Sequence, residues 1–158
     1  MSRISLHAVP FDNPDARALV TELYADQLTR YDRADPPDDN PRDYTPPQGL
    51  FLLLCLDNQP AGCGGYRVHD TTTGEIKRLY IRPEHRGRGH GRRILTALED
   101  HARVIGTTRI LLETGVRNEA AIALFDSTGY TPTPGYVPSR DQRINRAFAK
   151  PLSVPQRL

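Results

Sequence analysis

The chain of 158 residues contains no tryptophan, one methionine and only two cysteines. Two cysteines, Cys55 and Cys63, are too few for a disulfide framework or a cysteine-rich zinc site, so we expect both to be buried thiols. The five histidines show no metal-ligand spacing, so no metal is predicted. The longest apolar run, Leu50–Leu56, falls far short of the ~20 residues of a membrane helix. Because the N-terminus also lacks the apolar stretch of a secretion signal, we expect a cytoplasmic protein without a membrane span.

The length fits one domain, residues 1–158, and the charge within it is unevenly distributed. Residues 77–93 contain seven Lys or Arg and one Glu, a net charge of +6, whereas the whole chain carries +2. A basic block within a mildly acidic remainder indicates a local anion site. Nucleic acid is not expected as a partner, because Tyr80 is the only aromatic residue in the block and offers no stacking platform.

The hydrophobic pattern predicts an α/β (α+β) domain in the order β-α-β-β-β-α-β-α-β. Alternating apolar residues and turn signals indicate the strands, and apolar residues every three or four positions indicate the helices. A strand, a helix and a further strand between residues 75 and 114 imply a right-handed crossover, and hence a parallel pair in a mixed sheet. The predicted strands are 4–8, 50–56, 61–69, 75–81, 109–114 and 142–149, and the predicted helices are 14–30, 91–105 and a short one from residue 118.

The most informative segment is the turn 83–93, Pro-Glu-His-Arg-Gly-Arg-Gly-His-Gly-Arg-Arg, between a strand and a helix. Its glycines allow the backbone to approach a ligand closely, and a helix N-terminus offers unpaired N–H groups and a positive dipole end. With the arginines, this turn suits a pyrophosphate. The spacing matches neither the G-x-G-x-x-G dinucleotide fingerprint nor the Walker motif.

The motif Arg86-x-x-Gly89-x-Gly91 after a strand resembles the acyl-CoA signature of the GNAT superfamily of N-acetyltransferases. The resemblance continues through Leu112-Glu-Thr-Gly and the block Asn118-x-Ala-Ala-Ile-Ala-Leu-Phe, and it covers roughly residues 50–151. It implies a single GNAT-like domain with acetyl-CoA as co-substrate and no metal. The implied reaction is direct transfer of an acetyl group to a primary amine of a small molecule or peptide, in a ternary complex.

The resemblance also implies a set of donor-binding residues. Strand residues would pair with the pantetheine arm, the turn would hold the pyrophosphate through backbone N–H groups, Asn118 would bond the pantetheine, and Phe125 would lie near the thioester. The full set is Leu79, Tyr80, Ile81, Arg86, Gly87, Arg88, Gly89, His90, Gly91, Arg92, Asn118 and Phe125.

The catalytic residues are less clear, because Phe125 stands where many family members have a tyrosine that protonates the departing thiolate. A thiol with a pKa of ~8.5 leaves at modest cost without an acid; Tyr136 and Tyr130 are the candidates if an acid is needed.

A base must take a proton from the amine. Glu75 is the first candidate because it stands eleven residues before Arg86, the offset of the catalytic Glu in the histone-acetyltransferase branch, and Glu113 on the adjacent strand is the second.

Alternatives stay open at this point. A covalent route through Cys55 or Cys63 is disfavoured because neither has an apparent base beside it. A non-catalytic module that binds or senses acyl-CoA is the main alternative, since Phe125 replaces the family tyrosine.

The acceptor pocket is expected among the N-terminal helix, the loop 35–47 and the loop 130–140. Four Asp in the loop 35–47 hint at a cationic acceptor, although a solvated acidic loop is the simpler explanation for them. A homodimer is possible.

Overall fold

The computed structural model describes residues 2–153 and shows one mixed sheet covered by helices on both faces. The sheet has seven strands in the order β1-β2-β3-β4-β5-β7-β6; only β4 and β5 run parallel. This confirms the predicted α/β mixed-sheet fold. The strands are β1 Ile4–Ala8, β2 Leu50–Leu56, β3 Gln59–Val68, β4 Thr73–Ile81, β5 Arg109–Gly115, β6 Thr131–Thr133 and β7 Asn145–Pro151, and the helices are α1 Pro14–Tyr31, α2 His90–Val104 and α3 Glu119–Ser127, with 3-10 turns at Pro41–Tyr44 and Pro83–His85.

Each helix begins where the sequence supplies a suitable residue. Asn13 caps α1, its side chain accepting hydrogen bonds from the backbone N–H groups of Asp15 and Ala16, and Pro14 occupies the first helical position. Asn118 caps α3 in the same way through the backbone N–H of Ala121. No side chain caps α2, so the N-terminus of α2 is left with unpaired N–H groups facing the turn before it.

Two hydrophobic cores lie on opposite faces of the sheet. One joins the sheet to α2 and α3 through residues such as Ile94, Leu98 and Phe125. The other joins it to α1 and the turn at Pro41–Tyr44. Cys63 is fully buried in this second core, where burial raises its pKa to about 12. Cys55 is buried as well, which confirms both cysteines as interior thiols.

Several elements differ from the sequence predictions, mostly by one to three residues at their ends. The first hairpin turns over only two residues, Asp57 and Asn58, because both adopt positive φ and allow a tighter turn than the predicted residues 57–60. Helix α2 begins one residue earlier, at His90. The last strand is shifted to Asn145–Pro151, and the short strand Thr131–Thr133 was not predicted because its Pro-containing sequence carries little strand signal.

Candidate active site

The site begins at a bulge in β4. One extra β4 residue is accommodated between the pairs Gly65–Lys77 and Cys63–Tyr80, and Arg78 there adopts a φ of 60°. A left-handed conformation is unfavourable for a side chain of this kind, by roughly 1–2 kcal/mol. The Arg78 side chain compensates by donating to both carboxylate oxygens of Asp39, at 2.5 and 3.2 Å, and to the carbonyl of Pro36.

The parallel strands β4 and β5 separate directly before this bulge. They pair only at Thr73–Arg109, Gly74–Ile110 and Glu75–Leu111. Beyond Glu75, the edge of β4 that faces β5 has no strand partner, so its N–H and C=O groups are available to a ligand. A gap therefore opens through the middle of the sheet, with β4 on one side and β5 on the other.

A cavity of about 630 Å³ occupies one side of this gap, and we call it the donor cavity. Its volume lies within the usual range for small-molecule sites. Eleven of the twelve predicted donor-binding residues line it, and Arg88 is the exception. They are Leu79, Tyr80, Ile81, Arg86, Gly87, Gly89, His90, Gly91, Arg92, Asn118 and Phe125.

The glycine turn forms the end of the donor cavity at the N-terminus of α2. Gly87 and Gly89 have φ values of 77° and 82°, and no atom lies within 4 Å of where a Cβ would stand, so the backbone conformation rather than crowding requires glycine there. Arg86 donates from Nε to the carbonyl of Ile81 at 2.8 Å and lies over the ring of Tyr80. The turn therefore places its backbone beside the N-terminus of α2, which is the positive end of the helix dipole.

His90, the first residue of α2, is buried in this wall. Its Nδ1 has no hydrogen-bond partner within residues 2–153. Burial, followed by the charge of Arg93, lowers the pKa of His90. The positive charge beside this turn therefore comes from the arginines and from the N-terminus of α2 more than from the imidazole.

A second cavity of about 550 Å³ lies on the other side of the gap, and we call it the acceptor cavity. Residues from α1, Asp35, and Ser139 and Arg140 line it, so the three segments in which we expect the acceptor pocket meet at one cavity. The two cavities share a wall formed by Leu23, Gln27, Ile76, Lys77, Arg78, Glu113 and Thr114.

An ion-pair network crosses the acceptor cavity. Arg140 donates to Glu113 Oε1 at 2.8 Å and binds Asp35 with both terminal nitrogens. The hydrogen bond from Arg140 lowers the pKa of Asp35 although burial opposes it. The sequence did not point to this network, because Arg140 and Asp35 lie 105 positions apart with no motif around either.

The three predicted catalytic residues occupy different places. Glu113 lines both cavities, whereas Glu75 and Tyr136 line neither. Glu75 is buried, and its two oxygens accept hydrogen bonds from Arg67 Nε at 2.9 Å and from Tyr136 Oη at 2.8 Å. Burial, followed by the charge of Glu75, raises the pKa of Tyr136. Tyr130, the other candidate acid, is buried and donates to Glu99.

Comparison with known proteins identifies the family. A profile of the acetyltransferase (GNAT) family matches residues 9–130. The chain belongs to the GNAT family of acetyltransferases. It is 35% identical over 108 residues to an IAA acetyltransferase of Azospirillum brasilense, covering 67% of this chain and 70% of the relative. It is 32% identical over 144 residues to an uncharacterised N-acetyltransferase of Schizosaccharomyces pombe, covering 85% and 87%.

Solved GNAT structures have the same fold. A Klebsiella pneumoniae structure described as that of an acyl-CoA N-acyltransferase aligns with a TM-score of 0.81 and 29% identity, over 95% of this chain and 98% of that one. A GNAT acetyltransferase of Elizabethkingia anophelis, solved with acetyl-CoA bound, aligns with a TM-score of 0.66 at 18% identity, over 94% of this chain and 98% of that one.

The described part of the chain contains neither a cluster suited to a metal ion nor a membrane-spanning helix. Within residues 2–153, no group of three or more His, Cys, Asp or Glu side chains is placed to hold a metal ion. No helix in that range is long and apolar enough to cross a bilayer. The cysteine thiols line neither cavity.

Proposed function

We propose that this GNAT protein transfers an acetyl group from acetyl-CoA to a primary amine by direct attack in a ternary complex. The observation that carries the proposal is the gap between β4 and β5, which joins a donor cavity to an acceptor cavity through a shared wall. A donor held on one side and an amine on the other would meet inside the sheet, with no covalent enzyme intermediate required. Membership of an acetyltransferase family favours transfer over a non-catalytic acyl-CoA module.

The donor side would bind in three parts. The turn from Arg86 to Gly91 would hold the pyrophosphate through backbone N–H groups. The free edge of β4 would pair with the pantetheine arm as an added strand does. A backbone N–H near Tyr80–Ile81 would stabilise the oxyanion of the tetrahedral intermediate.

Glu113 is the better placed of the two candidate bases. Its Oε1 accepts from Arg140, but no hydrogen bond to its Oε2 is found within residues 2–153, so that oxygen is available to take a proton from the amine or from a bridging water. Glu75 has both oxygens occupied and lies outside the cavities. We assign Glu113 the role of base, and the Tyr136–Glu75–Arg67 chain the role of positioning the strands around it.

Phe125 has no proton to donate, and neither Tyr130 nor Tyr136, the two candidate acids, lines a cavity. Phe125 is buried in the wall of the donor cavity, and its ring packs near Tyr130 and Phe148. We propose that CoA leaves as the thiolate, which the ordinary acidity of a thiol permits.

The experiment measures thiol release from acetyl-CoA across a panel of amines for the wild type, Glu113→Gln and Glu75→Gln. We expect Glu113→Gln to lower kcat/KM by ~10²-fold or more, as loss of a general base does. Glu75→Gln should lower kcat/KM by less than ~10-fold. The opposite ranking would transfer the role to Glu75. Tight CoA binding without transfer to any amine would mean a sensing module.

A further inference from the structure

Lysine is nearly missing from this basic protein. Of the 21 Lys and Arg residues, only Lys77 and Lys150 are lysines, and the other cations are arginines, whose guanidinium groups stay protonated and are poor nucleophiles. The lysine side chains of an enzyme that acetylates amines are themselves amines, and those nearest the bound acetyl-CoA are its nearest potential acceptors. The surroundings of the two lysines are therefore informative.

Lys150 is held away from both cavities. Its Nζ donates to both carboxylate oxygens of Glu99, each at 3.1 Å, and it lies 5.4 Å from the centre of the Tyr130 ring. An amine held there by a carboxylate, outside the lining of both cavities, is not positioned to meet a thioester in the donor cavity.

Lys77 is placed differently. It belongs to the wall that the donor and acceptor cavities share, and its side chain is 16% exposed. Its Nζ lies 3.9 Å from Asp35 Oδ2, beyond hydrogen-bond distance, and both oxygens of that carboxylate are already bound by Arg140. Within residues 2–153 no hydrogen bond from Nζ is found.

The position of Lys77 in the strand places this amine at the reaction site. Lys77 lies two residues beyond Glu75, the last β4 residue that pairs with β5, and directly before the bulge at Arg78. It is therefore at the start of the gap through which a donor and an acceptor would meet. Glu113, from the facing strand, lines the same wall.

We propose that Lys77 is a self-acetylation site of this protein. The proposal rests on the proposed function, since the acetyl group comes from acetyl-CoA in the donor cavity. The neutral Nζ attacks the thioester carbonyl carbon, the new C–N bond forms, the C–S bond breaks and CoA leaves as the thiolate. The proton lost from the amine passes to Glu113 or water. The amide product carries no charge.

The modification would change the acceptor cavity in a defined way. It removes a positive charge from the shared wall and fills part of the gap with the acetyl group. Acetylated protein should therefore turn over added amines more slowly than protein freshly purified without the modification. Self-acetylation would act as a brake that operates when acetyl-CoA is abundant and the acceptor is scarce.

The test incubates the purified wild-type protein with acetyl-CoA and follows its intact mass, with peptide mapping of both lysines. We expect one added acetyl group, about 42 Da, on Lys77 and none on Lys150. Excess CoA should suppress the gain by competing for the donor cavity. The variant Lys77→Arg should gain no mass, and its matched control Lys150→Arg should gain one acetyl group as the wild type does.

The possible results distinguish a failure of the self-acetylation proposal from a failure of the proposed acetyltransferase function. CoA binding is measured in parallel by calorimetry. If CoA binds and the protein gains no mass, or gains equal label on both lysines that CoA does not suppress, the self-acetylation of Lys77 is overturned and the proposed function stands. If CoA does not bind at millimolar concentration, the proposed function fails and the inference fails with it. Circular dichroism on both variants checks that they are folded.

Discussion

At the scale of the residue, Gly89 is the position on which donor binding should depend most clearly. Its φ of 82° leaves a β-branched side chain strained, by ~1–3 kcal/mol, unless the turn rearranges. Rearrangement would turn the backbone N–H groups away from the pyrophosphate. We therefore expect Gly89→Val to weaken CoA binding by ~10-fold or more in a calorimetric titration, which corresponds to about 1.4 kcal/mol.

Gly106 provides the matched control. It follows the other end of α2, has a φ of 87°, and like Gly89 has open space around its Cβ position. Gly106→Val should therefore impose a similar backbone strain and lower the melting temperature, while leaving the affinity for CoA at the wild-type value. Equal losses of affinity in the two variants would show that strain in α2, and not the glycine turn, determines binding.

The donor cavity could be predicted residue by residue, whereas the acceptor cavity could be predicted mainly as three segments of the chain, for a physical reason. The turn from Arg86 to Gly91 is contiguous, so its glycines and basic residues are visible as one pattern. The acceptor cavity depends on Arg140 meeting Asp35 and Glu113, three residues from separate parts of the chain. Only the fold brings such side chains together, and no local spacing in the sequence records it.

At the scale of the element, the acidic loop 35–47 is bound by arginines of β3, of β4 and of the loop before β7. Asp39 pairs with Arg78, Asp43 lies 3.8 Å from Arg67, and Asp35 pairs with Arg140. Three of the four Asp that hinted at a cationic acceptor are therefore partnered within the protein. Their main effect is to neutralise basic residues beside the gap, and so the charge of this loop does not indicate the acceptor.

Of the three ion pairs of this loop, the pair of Asp39 and Arg78 should cost the most stability when it is broken, because each side chain is only 5% exposed. Asp39→Asn leaves Arg78 buried without its counter-charge, which costs about 3–5 kcal/mol. We expect urea unfolding at pH 7 to show this loss. Asp38→Asn in the same loop is the control: Asp38 is exposed, and its loss should change the free energy of unfolding by less than ~0.5 kcal/mol.

The same pair gives the pH dependence a definite direction. Burial tends to raise the pKa of Asp39, but hydrogen bonds from Arg78 and Tyr44 outweigh it, and the pKa lies below its ordinary value of 3.8. A lowered pKa contributes stability above the unfolded value, and this contribution is lost as the pH falls through the folded value. The difference between the wild type and Asp39→Asn should therefore narrow below pH ~4. A constant difference down to pH 2 would contradict the ion pair.

Most helices and strands could be predicted from the sequence, and the exceptions are the short strand Thr131–Thr133, which carries little strand signal, and the bulge in β4. Capping by Asn13 and Asn118 and the apolar spacing of α2 mark the helices clearly. The bulge at Arg78 left no such mark. An arginine with positive φ within a strand has no local preference for that conformation, and it is held there by Asp39 from a distant loop.

At the scale of the whole molecule, the sheet is nearly two units that meet along three residue pairs. Strands β1–β4 form one antiparallel unit, strands β5–β7 form the other, and only Thr73–Glu75 and Arg109–Leu111 join them by strand pairing. Helix α2 covers this junction on one face, where its hydrophobic core contains residues of both units. A ligand in the gap would therefore bridge the two units where the protein's own hydrogen bonds end.

This arrangement predicts where CoA should protect the backbone from hydrogen exchange. A ligand that pairs with the free edge of β4 satisfies N–H groups that no strand satisfies, so exchange in residues 76–81 and 112–115 should slow when CoA binds. At 100 times its Kd, CoA should also stabilise the folded state by about 2.7 kcal/mol, raising the melting temperature by several degrees. The hairpin β2–β3 is the internal reference, because its backbone is already paired on both sides of the turn. If protection appeared only at the turn 86–91, the pyrophosphate would be bound but the pantetheine arm would not lie in the gap, and the acetyl group would not reach Glu113.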